Sequence, residues 1–224
     1  MNNMLSSRLL CVAELVKGSG VVADIGCDHG KLSAYLLKMN YASFVYATDI
    51  SEQSLNKARK LCESEKLCDV EFVCGDGFNA LDKKVDAATV AGIGGDVISQ
   101  IIDSEKAPDK LVLQPMKDSD KLYEKLFELG YFVKEVRIVK ENGRFYEIIL
   151  ALRGLDTAYD FSLPPLERIV FDETAKMYLS HKIDVLNKAR NGAKKADNFL
   201  GKARLEELSA EISKIEEVLK SASC

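Results

Sequence analysis

The chain predicts a doubly wound α/β domain followed by a helical hairpin. Three observations carry this reading. Five short apolar runs alternate with helix-period amphipathic segments from Val21 to Leu129. Two longer β-type runs, joined by Asn142-Gly143, close that region. Beyond Gly154 no strand signal remains, and apolar residues recur at alternating spacings of three and four.

Leu5, Leu9, Val12 and Val16 lie one helical turn apart, so the chain opens with an amphipathic helix. Lys17-Gly18-Ser19-Gly20 stops it, and Val21 to Ile25 reads as the first strand. A glycine turn leads into a helix from Lys31 to Lys38. Phe44 to Thr48 is the second strand, ending at Asp49, and Ser51 with Glu52 opens a helix to Glu65. Val70 to Cys74 is the third strand, closed by Gly75-Asp76-Gly77. Val85 to Ala91 is the fourth, closed by Gly92-Ile93-Gly94-Gly95, with a helix from Asp96 to Ile102. Lys110 to Leu113 is the fifth, stopped by Gln114-Pro115. Asp118 caps a helix to Leu129, which Gly130 ends. Tyr131 to Lys140 and Arg144 to Leu152 then form an antiparallel hairpin, a reversal that dinucleotide-binding domains of this architecture lack.

Asp156 to Pro165, with its Pro164-Pro165 pair, reads as a linker that divides residues 1–155 from residues 156–224. Leu179, Ile183 and Leu186 form one apolar stripe; Leu205, Leu208, Ile212, Ile215 and Leu219 form another, with Asn191-Gly192 between them. That pattern predicts an antiparallel coiled-coil hairpin.

The 224 residues, 47% of them hydrophobic, suit one well-filled domain plus an appendage. A net charge of −4 argues against a general nucleic-acid binder, although local clusters can outweigh the whole-chain sum. No apolar run reaches the ~20 residues of a membrane span. The start, Met-Asn-Asn-Met, has neither a basic nor an apolar leader region, so a cytoplasmic location is expected. The six cysteines form no C-x-x-C pair and only His29 and His181 could join them, which points away from zinc and towards reduced thiols.

The turn after the first strand decides the ligand class. A pyrophosphate needs bare backbone amides from a G-x-G-x-x-G turn. Here Asp28 stands between Gly26 and Gly30, and Asp24 lies just before them. Two carboxylates repel a pyrophosphate and favour a ligand with a cationic centre, such as S-adenosylmethionine. Cys27 reads as a small residue fitting the turn, with a reactive thiol as the rival. Asp24 is placed to hold the cofactor's amino group, or is simply a turn aspartate. Asp49, with Ile50 beside it, suits the two ribose hydroxyls, or caps the following helix. Asp76 with Gly77 suits an adenine amine, or is an ordinary turn. Ala91, Gly92 and Gly94 let the backbone approach a ligand, and the Lys and Ser/Thr of a phosphate-binding loop are missing.

Gln114 and Pro115 lie where a substrate base would sit, with a plain strand terminator as the alternative. Asp28 and His29 form the one acid/base-like couple in the turn, although His29 equally suits a helix cap. Arg8 is assigned to the cofactor carboxylate or a phosphate, against a solvated side chain. Lys188, Arg190, Lys194, Lys195, Lys202 and Arg204, opposed by Asp197, cluster around the hairpin tip. They suit RNA phosphates, or form the solvated face of a coiled coil.

Together the segments V-A-D-I-G-C-D-H-G-K-L, A-T-D-I, G-D-G, V-A-G-I-G-G, L-V-L-Q-P and the Y-F-V-K-E…Y-E-I hairpin resemble the bacterial TrmK family of tRNA (adenine(22)-N1)-methyltransferases. The resemblance spans essentially the whole chain. It implies a class I methyltransferase fold, Rossmann-like with a seven-stranded sheet, S-adenosylmethionine as donor, and tRNA as substrate and partner of a monomer or weak dimer. It places Asp24, Gly26, Asp28, His29, Asp49, Asp76 and Gly92 on cofactor-facing motifs, and Gln114 and Pro115 on the segment facing the target base. Two positions depart from the family pattern: Lys31 stands where an aromatic residue is frequent, and Met116 where asparagine is frequent. Two other readings remain open from the residues: a methyltransferase acting on a small molecule or protein, and a non-catalytic RNA-binding protein with a vestigial pocket.

Overall fold

The computed structural model describes residues 5–154, 165–194 and 199–222. The chain forms two compact units, Met1–Pro164 and Pro165–Cys224. In the first, strands β1 (Val21–Ile25), β2 (Phe44–Asp49), β3 (Val70–Cys74), β4 (Ala87–Ile93), β5 (Lys110–Pro115), β6 (Tyr131–Glu141) and β7 (Arg144–Arg153) build one seven-stranded sheet. Its order is β3-β2-β1-β4-β5-β7-β6. Neighbours pair in parallel as far as β5, whereas β7 runs antiparallel to both β5 and β6. Helices α1 (Ser7–Val16), α2 (Lys31–Lys38), α3 (Glu52–Ser64), α4 (Gly95–Ile102) and α5 (Ser119–Glu128) complete this unit.

Successive residues Val22 and Ala23 are both fully buried, so β1 is covered on both faces, as parallel strands require. Val12, Ala13, Leu15 and Val16 of α1 and Leu32 and Leu36 of α2 pack with Val22, Val45, Val112 and Ile148 of the sheet. Ser6 opens α1 by accepting the Leu9 N–H on its side chain. The hairpin turn matches the Asn-Gly signal: Asn142 and Gly143 both have positive φ, 49° and 77°, the conformation of a two-residue type I′ connection.

Three details differ from the sequence reading. β4 begins at Ala87, because Asp86 ties off the start of β1 instead: its carboxylate accepts the Val21 N–H at 2.8 Å. The same strand runs past Ala91 to Ile93 through an irregularity at Gly92, where φ is 86°. β5 continues through Gln114 and Pro115 rather than stopping before them. Pro115 ends the strand, where its lack of an N–H is harmless.

The second unit holds α6 (Glu173–Ala193) and α7 (Phe199–Ser221), preceded by a single 3₁₀ turn at Leu166–Arg168. Leu166, Leu179 and Ile215 form its buried centre, with Ile183, Leu186 and Val218 against it. Leu179 packs with Ile215, and one turn further along α6 Lys182 pairs with Glu211 at 3.4 Å, so the register advances along one helix as it falls along the other, and the two are antiparallel. Asn191-Gly192 lies inside α6, not between the helices. One exposed glycine costs a helix about 1 kcal/mol, a small penalty at its last turn. Most of the expected linker lies outside the described residues. Among the described residues no helix is long and apolar enough to cross a membrane.

Gly30 is needed for packing. It caps α2 with φ at 68°, and a Cβ there would lie 2.5 Å from that of Ala58 on α3. At Gly26, where φ is 72°, an added Cβ meets nothing within 4 Å. Gly30→Ala therefore carries both backbone strain and a clash, and is expected to cost about 2–4 kcal/mol in urea unfolding, against about 1–2 kcal/mol for Gly26→Ala.

Candidate active site

A cavity of about 760 Å³ opens at the carboxyl ends of the central strands, within the size range of small-molecule sites. Asp24 of β1 with Gly26, Cys27, Asp28 and His29 after it, Asp49 at the end of β2 with Ile50 after it, Asp76 and Gly77 after β3, and Ala91 and Gly92 of β4 all line it. The start of α1 forms a wall with Leu5, Arg8 and Leu9, and Glu141 of the hairpin completes it. Gly30, Gly94, Gln114 and Pro115 lie outside the lining.

Asp24 sits at the base, 4% exposed. Its carboxylate accepts the Ser33 hydroxyl at 2.6 Å and the Thr89 hydroxyl at 3.0 Å. Burial nonetheless pushes the carboxyl above its ordinary 3.8, and the two hydroxyl bonds oppose that rise only in part. Neither partner stood out in the sequence. Thr89 is the cross-strand neighbour of Asp24 once β1 and β4 pair, and Ser33 reaches down from α2.

The turn above Asp24 is stitched to the end of β2. Gly26 and Cys27 both donate their N–H groups to the Thr48 carbonyl at 2.9 Å. Asp49 accepts the Asp28 N–H at 3.0 Å on one oxygen and the Ser51 N–H at 2.9 Å on the other. The Thr48 hydroxyl is buried, belongs to a residue of the cavity wall, and has no hydrogen-bond partner among the described residues. Burial, reinforced by Asp24 and Asp49, raises the Cys27 thiol well beyond the usual range, so it stays protonated and non-nucleophilic.

His29 bridges two groups at the mouth. Its Nδ1 lies 2.9 Å from an Asp28 oxygen, and its Nε2 lies 3.0 Å from the Lys57 ammonium on α3. Arg8 and Gln114, assigned separately from the sequence, meet. The guanidinium donates to the Gln114 side-chain oxygen and lies over the Tyr146 ring, 5.5 Å from its centre. Gln114 is fully buried and gives its amide hydrogens to the Pro115 carbonyl at 2.7 Å, with the Met116 sulfur at 3.7 Å. It thus anchors Arg8 from behind the wall. Gly92 leaves room for that arginine, since a Cβ there would stand 3.3 Å from Nη1. Glu141, the last residue of β6, accepts the Arg8 main-chain N–H at 3.1 Å and adds a carboxylate to the wall.

Carboxylates therefore outnumber cations on the wall: Asp24, Asp28, Asp49, Asp76 and Glu141 face Arg8 and Lys31. On one side Ile50, 77% exposed, and Phe78, Val97 and Ile101 supply apolar surface. The two loops next to Gly92 are locked together, with Met116 N–H donating to Ile93 O at 2.8 Å and Gly95 N–H to Lys117 O at 2.9 Å. In the second unit, Lys188 and Lys194 are exposed near the end of α6, and Lys202 and Arg204 near the start of α7. Arg204 pairs with Glu207 at 2.9 Å, and the buried Arg190 Nε has no hydrogen-bond partner among the described residues. Lys195 and Asp197 lie outside the described residues.

A sheet of this order, with an acid-lined crevice and no phosphate-binding turn, defines a class I methyltransferase domain, and residues 5–149 match a family model described as a methyltransferase domain. The tRNA (adenine(22)-N(1))-methyltransferase of Bacillus subtilis is 34% identical over 168 residues, covering 71% of each chain. The crystal structure of the B. subtilis m1A22 tRNA methyltransferase TrmK superposes with a TM-score of 0.81 at 28% identity, over 96% of this chain and 98% of that one. M. capricolum TrmK, solved with S-adenosyl-homocysteine, shares the fold with a TM-score of 0.79 at 24% identity, over 97% and 99% of the two chains. The chain belongs to the family of tRNA (adenine(22)-N1)-methyltransferases.

The buried Asp24 gives the ligand-free protein a distinctive pH response. Its folded carboxyl keeps its proton to higher pH than in the unfolded chain, so rising pH above the ordinary 3.8 favours unfolding until that carboxyl has titrated. Asp24→Asn removes this burden, so its urea midpoint should gain on the wild type as pH rises from about 4 to about 7.

Proposed function

We propose that the protein transfers a methyl group from S-adenosylmethionine to N1 of adenine 22 in tRNA, in the cytoplasm. The observation that carries this is the net-negative crevice, built around the buried Asp24 at the carboxyl edge of a methyltransferase sheet. The residues present fit this cofactor. The Thr48 hydroxyl, which has no hydrogen-bond partner among the described residues, and the open space in front of Gly26 leave a polar pocket for it. The carboxylates suit its sulfonium and amino group.

Asp24 holds the amino group directly or through water. Asp49, already fixed by two backbone N–H groups, has lone pairs left for the ribose hydroxyls. Asp76 receives the adenine amine, and Ile50 covers the ring. Arg8, anchored by Gln114, takes the carboxylate. Pro115, with the loops around Gly92 and Gly94, sets the edge that the target base approaches. When bound, S-adenosylmethionine supplies a methyl group on a sulfonium, and the positive charge passes to the adenine ring with that methyl. Asp28 and Glu141 hold negative charge close to the cation so formed. Adenine N1 carries its own in-plane lone pair, so the residues' main task is alignment, which can supply several kcal/mol. Extruding the base costs a few kcal/mol, and Lys188, Arg190, Lys194, Lys195, Lys202 and Arg204 offset part of that by holding tRNA phosphates.

Nucleoside mass spectrometry of unmodified tRNA incubated with the protein and labelled cofactor should show 1-methyladenosine, absent when A22 is replaced by G. Asp24→Ala should weaken S-adenosylmethionine binding by about 10- to 100-fold in calorimetry, the loss of a charge-assisted hydrogen bond. The logarithm of tRNA affinity should fall linearly with the logarithm of salt concentration. The triple variant Lys188→Ala, Lys194→Ala, Lys202→Ala should flatten that slope by about 2.

A further inference from the structure

Lys57 belongs to none of the motifs that mark the site, yet it reaches the turn after β1. Its Nζ lies 3.0 Å from His29 Nε2, and His29 Nδ1 lies 2.9 Å from Asp28 Oδ2. An ammonium has three donors and no lone pair, so Nε2 must be the acceptor of that contact. The ring proton then sits on Nδ1, facing a carboxylate that can only accept. A doubly protonated ring would set two N–H donors against each other at 3.0 Å. Asp28 is meanwhile held through its own N–H by Asp49 at 3.0 Å, with φ at 51°. The carboxylate is therefore fixed from its backbone on one side and from α3, through the imidazole, on the other.

We propose that Lys57 is a positioning residue of the active site: it occupies the His29 Nε2 lone pair and so holds the imidazole as a neutral donor that orients the Asp28 carboxylate. His29 is thereby withdrawn from service as a base. That agrees with an acceptor nitrogen that needs no deprotonation before it bonds to carbon. Orientation of Asp28 towards the cofactor rests on the function proposed above. The tautomer is a property of the ligand-free protein and stands apart from it.

Long-range proton–nitrogen NMR on ligand-free protein labelled with ¹⁵N-histidine reads the tautomer directly. His29 and His181 are the two histidines of the sequence, and His181→Gln separates their signals. The expected wild-type pattern is a neutral His29 ring with its proton on Nδ1. Lys57→Met frees the Nε2 lone pair while the Asp28 carboxylate still faces the Nδ1 proton, so the variant should show more of the doubly protonated ring than the wild type at the same pH, and Lys57→Arg should restore the wild-type pattern. An Nε2–H or doubly protonated ring in the wild type, or a ring pattern indifferent to Lys57→Met, overturns the proposal. Lys57→Met should also weaken S-adenosylmethionine binding by about 2- to 5-fold, as for an exposed charged pair, with recovery in Lys57→Arg. A changed ring pattern with unchanged affinity overturns the link to Asp28. Wild-type protein with the expected tautomer but no affinity for S-adenosylmethionine overturns the methyltransferase reading while leaving the lysine–histidine contact intact.

Discussion

The seam between the turn after β1 and the end of β2 carries the rest of the site. Four main-chain N–H groups, from Gly26, Cys27, Asp28 and Ser51, converge on the Thr48 carbonyl and the Asp49 carboxylate. Each such hydrogen bond contributes about 0.5–1.5 kcal/mol net. Satisfying them within the seam leaves the turn rigid and the pocket in front of it free. Gly26 can face that pocket because its positive φ turns the chain without a side chain in the way.

Charge follows from this geometry. Three of the crevice carboxylates, Asp24, Asp28 and Asp49, are delivered by two adjacent strand ends, so their separation is set by the spacing of the sheet. Like charges brought this close oppose folding, and the protein accepts that cost at the place where a cation is to be held. Ser33 and Thr89 relieve it at Asp24, the Asp28 and Ser51 amides at Asp49, and His29 at Asp28. Every acid of the first two strand ends thus has a donor that leaves part of its oxygen surface open.

The seven strands, their helices and the acid-marked turn were legible in the sequence because each carries a local signature: apolar runs of strand length, helix-period stripes, glycines at strand ends. What escaped depends on contacts between distant segments. Thr89 reads as one more β-branched strand residue until β1 and β4 are set in register. Lys57 reads as a solvated charge on α3. Gln114 looked like a group facing the substrate, but β5 runs two residues further than its apolar core and turns that side chain into the interior. Gly30 looked like part of the ligand turn, and its tightest neighbour is Ala58 on the next helix. Asn191-Gly192 has the composition of a turn, yet α6, packed through Leu179, Ile183 and Leu186, runs on through it to Ala193.

Arg8 and Glu141 stand near opposite ends of the first unit and bond to each other beside the crevice. Ribosomal synthesis releases the first of them early and the second only as the sixth of the seven strands is completed. Until the last hairpin folds, the Arg8 main-chain N–H lacks its Glu141 partner and the crevice lacks that part of its lining. The nascent chain consequently acquires its ligand pocket late, when nearly the whole sheet has left the exit tunnel, and a partly made domain has little means of sequestering the methyl donor.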